Sequence, residues 1–117
     1  MSQLISSRSW YSVESHFIAL NSQGWHQEEL LALVQHIKGT LLAQRVFAVT
    51  SLDELVISKY TPFAIHHEVV RVTYERSQQA FLFKYLLGQL PEPEVQRKYP
   101  AELGIEKFNH FMRWLNW

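Results

Sequence analysis

The sequence predicts a mainly α-helical fold, a small helical bundle with a long central helix near residues 63–87. Three observations carry that expectation. The stretch 63–87 is the longest in the 117-residue chain without a Gly, Pro, Asn or Asp. At about 100° per residue, Ile65, Val69, Val72, Ala80, Phe83 and Leu87 fall on one face, and Phe63, Val70, Tyr74, Phe81 and Tyr85 fall on the opposite one. Helical spacing of apolar residues also recurs on both sides of the stretch, at Trp10, Val13, Phe17 and Leu20 and again at Ile105, Phe108, Met112 and Leu115. The alternative is an α+β fold with strands near residues 44–50 and 69–75. Val46, Phe47 and Val49 favour a strand by propensity. Val69, Val70, Val72, Thr73 and Tyr74 alternate as a strand would, followed by a shorter helix over 78–87 capped by Ser77.

In chain order, residues 1–9 are polar and expected to fray. The series from Trp10 makes a short amphipathic helix with Ser12 as its cap and Gly24 in its stop signal. Glu28 and Glu29 suit the first turn of a second helix, whose stripe is Leu30, Val34, Ile37 and Leu41, widened by Leu31 and Leu33. Gly39 either follows its C-terminus or is tolerated inside it. Ser51 with Glu54 reads as a capping box opening a short helix through about Lys59. Thr61 as cap and Pro62 at the first helical position then open the central helix. Gly88 ends it, Pro91 and Pro93 mark a loop, and a turn of helix over 94–98 must stop before Pro100. The last helix runs from about Ile105, with Trp114 and Trp117 off its buried stripe.

A chain of this length is one domain, 1–117, able to bury roughly 65% of its unfolded surface. The absence of cysteine excludes disulfides, thiolate metal sites and a cysteine nucleophile, and suits a reducing, cytoplasmic setting. No window approaches the roughly 20 apolar residues of a bilayer crossing, and the start lacks a secretory pattern, so no membrane partner is expected.

Eleven basic and eleven acidic residues cancel. No segment carries a basic excess above one: residues 1–50 hold three of each sign, 51–83 three basic against four acidic, and 84–117 five against four. Nucleic-acid affinity comes largely from displaced phosphate counterions, so a nucleic-acid partner is not expected. The rival reading is a helix-turn-helix DNA-binding regulator, with helices over 52–59 and from 63 and with Lys59, His66, His67 and Arg71 toward the DNA. Asp53, Glu54 and Glu68 would oppose phosphate there.

The four glycines form no phosphate-cradling or nucleophile-elbow motif. His66 and His67 are adjacent, so they point about 100° apart on a helix or to opposite faces of a strand and cannot chelate one metal. Catalytic, cofactor and metal sites are therefore all expected to be none. A third reading, a small enzyme or ligand-binding domain with a His-lined pocket, needs residues gathered from several elements. The leading expectation is a cytoplasmic protein-interaction or regulatory domain without catalytic activity, working as a homodimer. Its interface is expected at Trp114, Trp117, Tyr74, Phe81 and Tyr85, because an aromatic share of 14% and a two-faced central helix offer more apolar surface than short helices cover.

Overall fold

A computed structural model describes residues 4–5, 7–60, 63–64, 68–87 and 93–117, the pairs 4–5 and 63–64 as backbone. The fold is α+β, not a helical bundle. In chain order it runs β1 (Leu4–Ile5), α1 (Trp10–Ser22), α2 (Glu28–Lys38), a 3-10 turn (Leu41–Gln44), β2 (Phe47–Ser51), β3 (Glu54–Ser58), β4 (Phe63–Ala64), β5 (Val69–Glu75), β6 (Ala80–Leu86), β7 (Val95–Pro100) and α3 (Gly104–Trp114). Five of these strands form an antiparallel sheet in the order β2-β3-β5-β6-β7, and β1 pairs with β4 beside it. Part of the segment expected to fray is thus tied down, since the Arg8 amide also donates to the Ala48 carbonyl at 2.8 Å.

The long central helix is the main correction. Residues 69–86 are two strands, with Val70, Val72 and Tyr74 opposite Tyr85, Phe83 and Phe81. Leu55 and Ile57 of β3 pair with Val72 and Val70 on the other side, so the backbone groups a helix would bond within itself are met across the sheet. The two-faced helical pattern dissolves as a result. Phe83 shares the helix-facing side of the sheet with Val70, Phe81 and Tyr85, while Val69 joins Val56 on the other face. Between the strands a 3-10 turn (Arg76–Gln78) and Gln79 in the left-handed region, φ 50°, reverse the chain with no glycine or proline to announce it. The strands at Phe47–Ser51 and Val69–Glu75 lie where the α+β alternative sets them, but its helix over 78–87 is also absent, replaced by β6. Ile65 and the helix start at Thr61 and Pro62 lie outside the described residues.

Two smaller helices are corrected in the same way. Ser51 and Glu54 do not box a helix; they face each other across a two-residue hairpin turn between β2 and β3. The segment 94–98 lies mostly in β7, paired to β6 from Val95 to Pro100.

The three true helices cover one face of the sheet. Trp10, Val13, Phe17 and Leu20 of α1 are buried, as are Leu30, Leu33, Val34 and Ile37 of α2. The cap of α1 is Ser9, whose hydroxyl accepts from the Ser12 amide, and α2 stops at Lys38 with Gly39 as its cap. Phe108, Phe111 and Met112 bring α3 down on β6 and β7. At the centre the Phe83 ring lies 5.8 Å from Phe108, 5.7 Å from Phe111 and 5.8 Å from Tyr99. Rings at that separation add about 0.5–1.5 kcal/mol per pair beyond their buried area. This packing sets the outer edge of α3, where the candidate sites lie.

Candidate functional site

Two clefts flank α3. The larger, about 430 Å³, lies between α3 and the chain that leaves α2 through the 3-10 turn. Leu41, Met112 and Trp117 give it apolar lining, His36, Thr40 and Asn109 polar lining, and Arg45 and Arg113 line it as cations. His36 Nε2 donates to Asn109 Oδ1 at 3.0 Å, an inter-helix bond that fixes both side chains. No Asp or Glu lines this cleft among the described residues.

The smaller groove, about 200 Å³, lies on the other side of α3 against β7. Val95, Arg97 and Tyr99 alternate along the strand and project toward the helix, because they pair with Tyr85, Phe83 and Phe81 on the core face. His110, Phe111 and Trp114 complete the groove from α3. Trp114 is 64% exposed, its ring 6.2 Å from that of Phe111. Among the described residues β7 pairs with β6 alone, so its other edge is open.

A third cluster anchors the end of the chain. Glu68 takes an ion pair from Lys59 at 3.0 Å and hydrogen bonds from the hydroxyls of Tyr85 and Tyr60. Burial pushes the Glu68 carboxyl up, but the hydrogen bonds from Tyr85 and Lys59 and the Lys59 charge outweigh it and hold the group below the ordinary carboxylate value. Burial first, and then the bond to Glu68, push the Tyr85 phenol up to about 12. Lys59 also lies 5.4 Å from the Trp117 ring centroid, and the Tyr85 ring meets Trp117 edge-on at 6.4 Å. Trp117 is therefore held by its own chain.

The expected interface residues separate accordingly. Tyr74 and Phe81 are 6% and 2% exposed, inside the core rather than at a surface, because strand pairing turned them toward the helices. Tyr85 and Trp117 are half-buried in the Glu68 cluster, and Trp114 alone of the five stands out from the surface.

The helix-turn-helix geometry is absent, since β3 occupies most of residues 52–59. Lys59 is committed to Glu68, and Arg71 is paired with Glu54. His66 and His67 lie outside the described residues. The remaining histidines are dispersed: His16 bonds the Leu52 carbonyl at 2.6 Å, His26 faces Glu28 at 3.6 Å, and His36 and His110 sit in different clefts. Among the described residues no three His, Asp or Glu side chains gather to hold a metal ion. None of their helices is long and apolar enough to cross a membrane.

Arg45, Arg97 and Arg113 carry the charge of the two clefts, yet no motif marks them in the sequence. Only Arg113, one residue before Trp114, sits beside a residue the aromatic pattern singles out. Comparison with protein-family models, curated proteins and solved structures finds no match to this chain.

Proposed function

We propose that the chain is a cytoplasmic protein-interaction domain without catalytic activity, and that it binds an extended segment of a partner protein along β7. The observation that carries this reading is the open β7 edge beside a groove walled by Trp114. An extended segment laid on such an edge gains main-chain hydrogen bonds, and alternate side chains enter the groove. A large exposed indole at the rim, over a floor of Phe111 and Tyr99, is the usual chemistry of a binding hot spot. Arg97 and His110 line the groove without a carboxylate, so the segment that fits carries an acidic residue next to an aliphatic or aromatic anchor. The cysteine-free sequence supports the cytoplasmic setting.

The charge on β7 separates a foreign partner from a second copy. Antiparallel β7-to-β7 pairing about its midpoint would set Arg97 of one chain against Lys98 of the other, and like charges directly opposed destabilise a strand pair. We therefore rank a heterologous segment above the homodimer expected from sequence.

Selection of displayed ten-residue peptides against the folded domain tests this. The selected peptides are expected to pair an acid with an apolar anchor, to shift the amide resonances of β7, and to bind Trp114→Ala about tenfold more weakly. Peptides that bind elsewhere, or that ignore Trp114→Ala, would refute the reading. Sedimentation at high concentration should show a monomer; a dimer abolished by Trp114→Ala would assign the surface to self-association.

A further inference from the structure

The cleft on the far side of α3 supports a different activity. We infer that it binds a small carboxylate-bearing molecule with an apolar body. Its volume, about 430 Å³, falls within the roughly 300–1,000 Å³ of small-molecule sites. Two of its apolar lining residues are already fixed, Trp117 by Lys59 and Tyr85 and Met112 by burial in α3. His36 and Asn109 are fixed too, by the bond between them. A ligand would therefore meet four lining side chains that need little ordering, and would order the two arginines itself.

Charge selects the head group. Arg45 and Arg113 both line the cleft, and neither guanidinium has a hydrogen-bond or ion-pair partner among the described residues. Four other long cations are engaged by carboxylates, Arg71 with Glu54, Lys38 with Glu14, Lys59 with Glu68 and Lys98 with Glu75, whereas Arg45 and Arg113 share one cleft without such a partner among the described residues. A carboxylate offers each guanidinium a charge-assisted, planar bond that water cannot match. The apolar body would lie along Leu41, which is 71% exposed, and against Met112. A single-stranded nucleic acid is a poorer occupant, since the Trp117 ring on which a base would stack is already contacted by Lys59 and Tyr85.

The test titrates the intact chain with octanoate, octanol, octylammonium and an eight-residue oligothymidylate while following the Trp117 indole and Asn109 side-chain amide resonances. Octanoate is expected to move both. Octanol and octylammonium should bind about tenfold more weakly or not at all, and Arg45→Gln/Arg113→Gln should weaken octanoate by about tenfold or more. Both arginines are exposed and unpartnered, so the double variant is expected to fold as the wild type does. Equal binding of octanol and octanoate, an unchanged affinity in the double variant, shifts confined to residues outside the cleft, or binding of the oligonucleotide alone would each overturn the inference.

Discussion

Gly104 lies flat against the ring of Phe81: a Cβ built on the glycine would stand 2.3 Å from Cε2 and 2.4 Å from Cδ2 of that ring. This close approach is what seats the first turn of α3 on the sheet. Phe81 cannot retreat, because it is buried between Tyr74 and Phe83 at ring distances of 5.1 and 6.0 Å. Gly104→Ala gains at most about 1 kcal/mol of helix propensity and incurs about 1–3 kcal/mol of overpacking. A net loss of about 1–2 kcal/mol is expected in urea denaturation. A variant as stable as the wild type would show that α3 does not start on that ring.

Truncations in and around the aromatic core should divide sharply. Phe83 is fully buried among Phe81, Tyr99, Phe108 and Phe111, so Phe83→Ala is expected to cost about 3–5 kcal/mol. Trp114→Ala, at a position mostly in water, should change stability by no more than about 0.5 kcal/mol. Chemical denaturation of the two variants reads both numbers. A large loss in Trp114→Ala would mean that the indole holds the fold together and is not an available contact.

The Glu68 cluster makes stability depend on pH at both ends of the scale. The folded Glu68 carboxyl is held below the ordinary carboxylate value of 4.5, so its contribution is full above about that pH and disappears as pH falls through the lowered folded value. Glu14, drawn down by its bond to Lys38, adds to the same acid limb. Tyr85 has the opposite sign: raised from 10.0 to about 12, it stabilises fully below pH 10 and ceases to as pH rises through about 12. Thermal unfolding followed across pH should show Glu68→Gln flattening the acid limb and Tyr85→Phe flattening the alkaline one. An alkaline limb unaltered in Tyr85→Phe would remove the phenol from the account.

The β2–β3 hairpin carries an exposed leucine in a conformation that suits glycine. Leu52 has φ 54° and is 69% exposed, so it contributes little packing against the strain of the left-handed region. Two-residue hairpin turns favour Gly or Asn at such a position. Leu52→Gly is expected to stabilise by about 0.5–1 kcal/mol, the relieved strain exceeding the added chain entropy. Loss of stability in the glycine variant would show that the leucine side chain makes contacts that outweigh its backbone cost.

Local spacing was enough to find the three helices and most of the buried face of each, although Leu41 and Ile105, expected on the buried stripes, are exposed. Trp10, Val13, Phe17 and Leu20, and likewise Leu30, Val34 and Ile37, repeat at helical spacing, and a helix satisfies its backbone within itself, so the pattern and its outcome are both local. Phe108 and Met112 obey the same rule in α3. Trp114 also stands off the buried stripe, as its angle from Phe108 and Met112 requires.

Residues 69–86 were not legible in that way. Val69 and Val72 satisfy a helical period while Val70, Val72 and Tyr74 satisfy a strand period, and the turn at residues 76–79 has only Ser77, which reads equally as a helix cap, to mark it. What decided between them was the pairing of Val72 with Leu55 and of Phe81 with Tyr99, partners 17 and 18 positions away whose hydrogen bonds exist only once the sheet has formed. The candidate sites depend on tertiary structure for the same reason. Arg45 and Arg113 are remote in sequence and line one cleft because α2 and α3 pack on the same face of the sheet, and Arg97 and Trp114 line one groove because β7 ends that sheet beside α3.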